Sequence, residues 1–391
     1  MTDLWSPREL SRLRVIEALT RRPGISRTQL GQEAGLSRPT VASVLEELED
    51  AGIIEQRLEP EDDARPRPMG RPPIPIRLAP RAAFAVGLDF GHRHVRAALC
   101  DLSGRPVEDA WSEAEVDSAP AASLDLAHDL VRGLLSRAEA DPGDVLGVGM
   151  GLAAPVDAAT GTAYVEGILP GWGGLRPAAE MEARLGLPVK LENDANVGAL
   201  GEHRFGVARG ARDIAYVRLS AGIGLGLVLN GEPYRGRLGI AGELGHVRAV
   251  AAGGALCRCG NRGCLETVAS AAAVADSLGV HVPRVVELVH AGDERALQAV
   301  AAAGEAVGAA VAAVVNVLNP ELVVIGGELA GAGPVLLDPL QRAIAESVIG
   351  PSAAAVETRV GALGERAEVL GAAALVLAGA PKLLARRLGE V

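Results

Sequence analysis

Apolar residues recur at helical spacing from Arg8 to Leu19, where Leu10, Leu13, Ile16 and Leu19 would share one face. Pro23-Gly24 stops that helix, and Ser26 is placed to cap a second one, Arg27 to Ala34, with Leu30 turned inward. Gly35-Leu36 makes a tight turn. Ser37 then caps a third helix running to about Asp50, with Val41, Val44, Leu45 and Leu48 on its buried side. Past Gly52, the segment Ile53 to Leu58 predicts a strand and Ile74 to Leu78 a returning one, with a charged, proline-rich excursion between them. Helix, short turn, helix and wing make a winged helix-turn-helix, whose second member enters the DNA major groove by its N-terminal residues. Those residues are Ser37, Arg38, Pro39, Thr40 and Ser43. In the wing, Arg65, Arg67, Arg71 and Arg77 follow with no acid among them, and Gly70-Arg71-Pro72 is compact enough to place an arginine in a narrow minor groove. The competing reading is a three-helix protein-interaction module with a solvated charged loop. Capping serines, glycine turn and arginine wing together favour DNA.

Beyond Pro80 the pattern changes to alternating strands and helices. Ala85 to Gly91 leads through a turn into Val95 to Asp101, and Ile214 to Gly231 repeats that strand-turn-strand plan further along. Two such hairpins, each opening a strand and helix alternation, predict a duplicated α/β lobe with a cleft between the copies. Taken alone, the glycine-rich second hairpin is also explained as a tight turn. Val148 to Val156 reads as a strand and loop at the cleft, and Trp172 in Leu169-Pro-Gly-Trp172 as an aromatic near its entrance. An alanine-rich helix is expected over Glu294 to Leu318, a buried strand and turn over Leu322 to Ala330, and a helix over Glu368 to Ala378 that returns to the first lobe.

Length and charge refine this picture. A chain of 391 residues, 49% hydrophobic, has enough apolar surface for two or three domains. With only 2% aromatic residues, its core must be built from small aliphatic side chains. The net charge is −11, yet the first 80 residues carry 12 arginines against 13 acids, so the acidity lies downstream and nucleic-acid contact must be local. No apolar run reaches membrane-spanning length without glycine or charge, and Met1 to Trp5 lacks a basic region followed by an apolar one. A cytoplasmic protein without a membrane partner is expected.

The chemistry concentrates between Glu243 and Glu266. Glu243-Leu-Gly-His246 is followed by Cys257-Arg-Cys259-Gly-Asn-Arg-Gly-Cys264-Leu-Glu266, which holds three of the chain's four cysteines. Three thiolates and an imidazole complete a tetrahedral set for zinc, and Gly260 and Gly263 let the backbone fold tightly enough to aim the sulfurs at one point. A closed set leaves no position for water, so such a metal would be structural. The alternatives are a disulfide, which would be strained across Cys257 and Cys259, or scattered buried thiols. His246 can bind metal through one ring nitrogen and leave the other as a hydrogen-bond partner. A second signal is Leu191-Glu-Asn193-Asp194 at a strand end opening a helix, where capping alone needs only one of the two polar residues. The other histidines, 92, 94, 128, 203, 281 and 290, and Cys100 have no partnered spacing and read as surface or core.

The Glu-x-Gly-His and Cys-x-Cys-Gly-x-x-Gly-Cys-x-Glu runs resemble the motifs of the ROK family of repressors and sugar kinases. That resemblance extends over nearly the whole chain, through both hairpins, the Asn-Asp pair and Gly326-Gly327, and the N-terminal segment is similar to the winged helix of the family's repressor branch. It implies an α/β fold in which the winged helix-turn-helix precedes a two-lobed actin/hexokinase-like, ribonuclease H-like duplicated domain. The expected division is residues 1–80 for the DNA-binding domain, 81–192 with the C-terminal helix 363–391 for the first lobe, and 193–362 with the zinc site for the second. It implies that Asn193, Asp194, Glu243, His246 and Glu266 hold a monosaccharide or its phosphate, and that His246, Cys257, Cys259 and Cys264 hold a structural Zn2+. Operator DNA and a second copy of the chain, as a homodimer or homotetramer, are the implied partners. In the family's kinases the residue matching Asp194 is the catalytic base and both hairpins cradle ATP phosphates. Here His92-Arg93 stands where kinases have Gly-Thr, and Ser220-Ala221-Gly222 where they have Gly-Thr-Gly, so the bulk should spoil phosphoryl transfer. A sugar-responsive repressor is therefore expected ahead of an ATP-dependent hexose kinase that also binds DNA.

Overall fold

In the computed structural model, which describes residues 5–56, 74–157, 160–250 and 253–388, the chain opens with α1 (Pro7–Arg21), α2 (Arg27–Ala34) and α3 (Arg38–Asp50). Ser6, Ser26 and Ser37 cap them. Ser26 and Gln29 bond each other's backbone reciprocally, and Gly35 closes α2 in the left-handed region at φ 63°. On α1 the buried face is Val15, Ile16, Ala18 and Leu19, whereas Leu10, expected to point inward, is 38% exposed. Arg12 takes the inner position on that turn and pairs with Glu47 of α3 at 2.7 Å, a buried charge tolerated because it is bonded. The wing is a short antiparallel ladder, β1 (Ile54–Gln56) on β2 (Ile76–Leu78). Arg65, Arg67 and Arg71 lie outside the described residues.

The next part of the chain runs β3 (Phe84–Phe90), β4 (His94–Asp101), β5 (Pro106–Glu113), α4 (Pro120–Ala138), β6 (Val145–Leu152), the two-residue strands β7 (Val156–Asp157) and β8 (Thr162–Ala163), α5 (Pro177–Leu185), β9 (Val189–Asn193) and α6 (Asp194–Phe205). After α6 come β10 (Ile214–Leu219), β11 (Ile223–Leu229), β12 (Glu232–Pro233), α7 (Glu266–Ala269), α8 (Ala271–Leu278), α9 (Val282–His290), α10 (Glu294–Leu318), β13 (Leu322–Gly326), α11 (Pro334–Ser347), α12 (Gly350–Ala355), β14 (Glu357–Val360), α13 (Ala367–Leu377) and α14 (Ala380–Arg387). The strands form two five-stranded sheets, ordered β5-β4-β3-β6-β9 and β12-β11-β10-β13-β14. They match strand for strand. In each, the first two strands of the repeat pair antiparallel and the opening strand pairs parallel with the next one in. The central strands are buried along their length, as fits sheets covered by helices on both faces.

The two sheets meet through helices. α6 lies against β10 and β11, α13 lies against β3 and β6, and the two helices pack on each other. Gly371 makes that crossing possible, because a Cβ there would sit 1.7 Å from the carbonyl oxygen of Val197. The C-terminal helix expected as one piece is two, bent by 44° after Leu377, and α14 turns back to pack on α1. There Leu384 and Ala385 share a core with Val15, Ile16 and Leu19, and the Arg386 guanidinium lies 4.6 Å from the centre of the Trp5 ring. α10 is long and apolar enough to cross a membrane by length and composition. It packs along α11 with Val300, Val307, Val311 and Val315 buried.

Candidate functional site

A cleft opens between the carboxyl ends of the two sheets, lined by Asn193, Asp194, Glu243 and Glu266 together with His92, Arg218 and Arg258. Asn193 ends β9 and caps α6, its Oδ1 accepting from the backbone of Ala195 at 2.9 Å and Asn196 at 3.2 Å. Its Nδ2 donates to the carbonyl of Ala154 and to Asp194 Oδ1. Asp194 Oδ1 also accepts from Ala195 N at 2.8 Å, while Oδ2 faces Arg218 Nη1 at 3.1 Å. Arg218 in turn donates through Nε to Glu368 Oε1 at 3.0 Å, and Tyr216 Oη donates to that same oxygen. Burial works against the Arg218 charge, but the carboxylates of Asp194 and Glu368 outweigh it and raise its pKa. Burial pushes Glu368 up to about 7 against the pull of Arg218.

On the opposite wall Glu243, just ahead of a short helical turn, and Glu266, at the start of α7, complete an oxygen-rich rim. Burial, with Asp194 and Glu266 nearby, pushes the Glu243 carboxyl up to about 7. Near neutrality it can both donate to and accept from a hydroxyl. Glu266 is held by Arg258 Nε at 3.0 Å and by the backbone N–H of Ile223 at 3.2 Å. Four of the five residues expected at a sugar thus share one cleft. His246, the fifth, stands one contact behind, its Nε2 at 3.7 Å from Glu243 Oε2.

The other ring nitrogen of His246 points at sulfur. Nδ1 lies 3.6 Å from Cys257 Sγ, Cys259 Sγ lies 3.7 Å from Cys264 Sγ, and all four ligand atoms fall within 4.8 Å of one another. Zinc bonds of about 2.3 Å to sulfur and about 2.0 Å to nitrogen set tetrahedral edges of about 3.8 Å and about 3.5 Å, so the donor set and its spacing fit. Gly263 is needed where it stands: its φ is +73°, and a Cβ would meet the carbonyl oxygen of Val250 at 2.5 Å. A Cys3His cluster able to hold a metal is therefore built into the loop that carries Glu266.

On the β3–β4 hairpin that carries His92, Asp89 Oδ2 is 2.9 Å from His94 Nε2; burial works against the His94 charge, but the bond and charge of Asp89 outweigh it and raise its pKa. Asp89 Oδ1 and Ser220 Oγ are buried with no hydrogen-bond partner among the described residues. His92 lines the cleft and is fixed by Asp117 at 2.8 Å, whereas Arg93 is exposed and lies outside the lining. Of the two bulky residues expected in that volume, only His92 reaches it. Trp172 is not at the entrance: it is fully buried, packs edge-on to Phe90 and donates Nε1–H to the carbonyl of Val116.

Sequence reasoning also missed Arg218, Arg258 and Glu368. The available signal was Arg218 itself, a lone charge inside the apolar strand Ile-Ala-Tyr-Val-Arg-Leu. On the head, Ser37, Arg38, Pro39 and Ser43 are exposed along α3, and Thr40 is half-buried with its hydroxyl 2.8 Å from Ser37 Oγ.

A winged head joined to a duplicated α/β domain with a carboxylate-rich cleft and a Cys3His loop defines the class. The chain belongs to the ROK family, whose model matches residues 85–378, and a winged helix-turn-helix DNA-binding model matches residues 8–55. Among its relatives is the xylose repressor of Bacillus subtilis, 27% identical over 93% of this chain and 94% of that protein. The glucokinase of Halalkalibacterium halodurans is 33% identical over 74% of this chain and 94% of its own. A solved ROK family transcriptional regulator, a homolog of the Escherichia coli MLC protein, superposes with a TM-score of 0.79 at 25% identity, covering 97% of this chain and 98% of that one.

Proposed function

We propose that this protein is a sugar-responsive transcriptional regulator, a repressor of carbohydrate-metabolism genes that binds operator DNA and changes its grip when a monosaccharide or sugar phosphate enters the cleft. The observation that carries this reading is the union, in one chain, of an exposed α3 face on a winged head with a cleft lined by Asn193, Asp194, Glu243 and Glu266. Short carboxylate and amide side chains suit a polyhydroxylated ligand because each offers several hydrogen-bonding positions in fixed directions. His246, Cys257, Cys259 and Cys264 would hold a structural zinc ion that fixes the loop bearing Glu266. With all four positions taken by protein, the ion supplies rigidity rather than catalysis. The division into a head of residues 1–80, a first lobe of 81–192 with 363–391 and a second lobe of 193–362 belongs to this reading. So do Ser37, Arg38, Pro39, Thr40 and Ser43, with Arg67 and Arg71, as DNA contacts. Two copies would pair if the operator is two-fold symmetric, and a protein that binds operator DNA would work in the cytoplasm.

Relatives named for xylose and for glucose make D-xylose, D-glucose and glucose 6-phosphate the first ligands to try. A thermal-shift screen with these, followed by affinity for a duplex selected in vitro with and without the ligand that binds, tests the reading. Operator affinity that ignores every ligand tried would remove the sugar-sensing part. An ATP-dependent hexose kinase is the second reading, favoured by the retained Asp194. Against it stand the engagement of Asp194 by Arg218 and of Asp89 by His94, and the presence of His92 in the cleft. ADP release with Mg-ATP and glucose at ordinary kinase rates, abolished by Asp194→Asn, would establish the enzyme.

A further inference from the structure

Among the described residues, Arg218 is the one cation bonded both to a cleft carboxylate, Asp194, and to α13, through Glu368. It lies on β10, and its side chain is 10% exposed. One partner, Asp194, begins α6, which is fitted closely to β11: a Cβ on Gly226 would lie 2.2 Å from the carbonyl oxygen of Ala195. The other partner, Glu368, begins α13, which is fitted equally closely to the first sheet, where a Cβ on Gly149 would lie 1.8 Å from the carbonyl oxygen of Ala372. α6 therefore travels with the second sheet and α13 with the first. The two helices are seated on each other over a full turn, a Cβ on Gly371 meeting the carbonyl oxygen of Val197 at 1.7 Å and one on Gly201 that of Ala367 at 2.2 Å. Glu368 stands inside that crossing, beside Gly198 of α6, and its bond to Arg218 ties the start of α13 to the second sheet. Past Leu377 the chain bends into α14, which packs on α1 and places Arg386 over Trp5. Whatever moves α13 against the second sheet moves the head as well.

We propose that Arg218 is the positioning residue through which occupancy of the cleft reaches the DNA-binding head, by dividing its guanidinium between Asp194 and Glu368. The inference rests on the sugar-responsive reading above. Asp194 Oδ1 already accepts from Asn193 and Ala195, so a sugar hydroxyl must donate to Oδ2, where Arg218 sits. The hydroxyl takes a share of that oxygen, weakening its bond to Arg218. Arg218 then closes on Glu368, whose Oε1 is already oriented by Tyr216, and the seat of α13 on the second sheet shifts at the helix crossing itself. The geometry also requires that a ligand lacking a hydroxyl at that place bind without altering DNA affinity.

The experiment uses the full-length chain and the duplex obtained by in vitro selection. Operator affinity is measured by fluorescence anisotropy with and without saturating D-xylose or D-glucose, whichever gives a thermal shift, and sugar affinity is measured separately by calorimetry. In the unaltered protein the ratio of the two operator affinities should fall in the range of about 5 to 150-fold typical of coupled sites. Glu368 does not line the cleft, and Glu368→Gln keeps its shape and its acceptor for Tyr216. This variant should hold sugar affinity within about threefold while the ratio collapses toward one. Arg218→Lys retains the charge but reaches only one partner at a time, and should give an intermediate ratio. A Glu368→Gln protein that keeps the full ratio overturns the relay and leaves the sugar-responsive reading intact. An unaltered protein that binds sugar with no change in operator affinity overturns both. Should Glu368→Gln fail to fold, Arg218→Lys decides alone, an unchanged ratio overturning the relay.

Discussion

Replacing Arg218 by methionine keeps an unbranched apolar stem and removes the guanidinium, leaving Asp194 and Glu368 without a cation between them. The side chains involved are 10%, 11% and 6% exposed for Arg218, Asp194 and Glu368, so solvent screens little of the loss. Breaking a buried pair by removing one partner costs about 3–5 kcal/mol, which at about 2.1 cal/mol/K per residue over a cooperative unit of roughly 300 residues lowers Tm by about 5–8 °C. The loss should depend on pH in a defined sense. Burial already pushes Glu368 up to about 7 in the presence of Arg218, and without that cation it rises further. An acid whose folded pKa exceeds its unfolded one binds extra protons when folded, so stability falls as pH rises from about 4.5 through the folded value. The Tm deficit of Arg218→Met should therefore be larger at pH 8 than at pH 6, and adding Glu368→Gln should flatten the difference. Differential scanning calorimetry at the two pH values measures both. A deficit under 2 °C, or one indifferent to pH, would refute the electrostatic account of this cluster.

Three further outcomes follow from other parts of the molecule. Protein purified without chelator should contain one zinc per chain by elemental analysis, and either stripping the metal or Cys259→Ser should lower Tm and abolish the sugar-induced thermal shift together, since the loop that carries Glu266 loses its anchor. His94→Gln should reduce stability more at pH 6 than at pH 8: the folded His94 pKa is raised by Asp89, so its contribution is fully present below about 6.5 and is lost as pH rises through the folded value. Arg38→Ala on the exposed end of α3 should weaken operator binding and, if the contact is to phosphate, reduce the slope of log affinity against log salt by about 1; an unchanged affinity would remove Arg38 from the interface.

Local chemistry was what the sequence displayed most plainly. Ser26 and Gln29 announce the start of α2, Asp293 and Asn319 bound the long α10, and the spacing of Cys257, Cys259 and Cys264 with His246 anticipates a cluster that the fold closes to within 4.8 Å. Duplication of the hairpins foretold a repeated lobe, because strands buried on both faces read as continuous apolar runs and the two runs joined by a turn occur twice. Long-range pairing left no comparable trace. Arg218 and Glu368 are 150 positions apart, and nothing in the spacing of either predicts the bond. β5 escaped notice because its residues are only partly buried and its alternation is broken by Pro106 and exposed Trp111. Trp172 misled for the opposite reason: a turn of Leu-Pro-Gly-Trp reads as surface, yet the 3-10 turn folds the indole under Val116, where its N–H finds a carbonyl. The bend between α13 and α14 was marked by Gly379-Ala-Pro381, whereas the packing of α14 on α1 that fastens it to the head left no local trace.

One titration bears on the whole account. Labelled operator duplex bound by the full-length, zinc-loaded protein is challenged with D-xylose, D-glucose and glucose 6-phosphate in turn, and anisotropy is followed at constant salt. The account predicts that one of these shifts operator affinity by at least about fivefold, the lower edge of ordinary coupling, and that Asp194→Asn abolishes the shift while the protein still binds DNA. If every one of these sugars that binds the unaltered protein leaves the duplex affinity where it was, the account is contradicted.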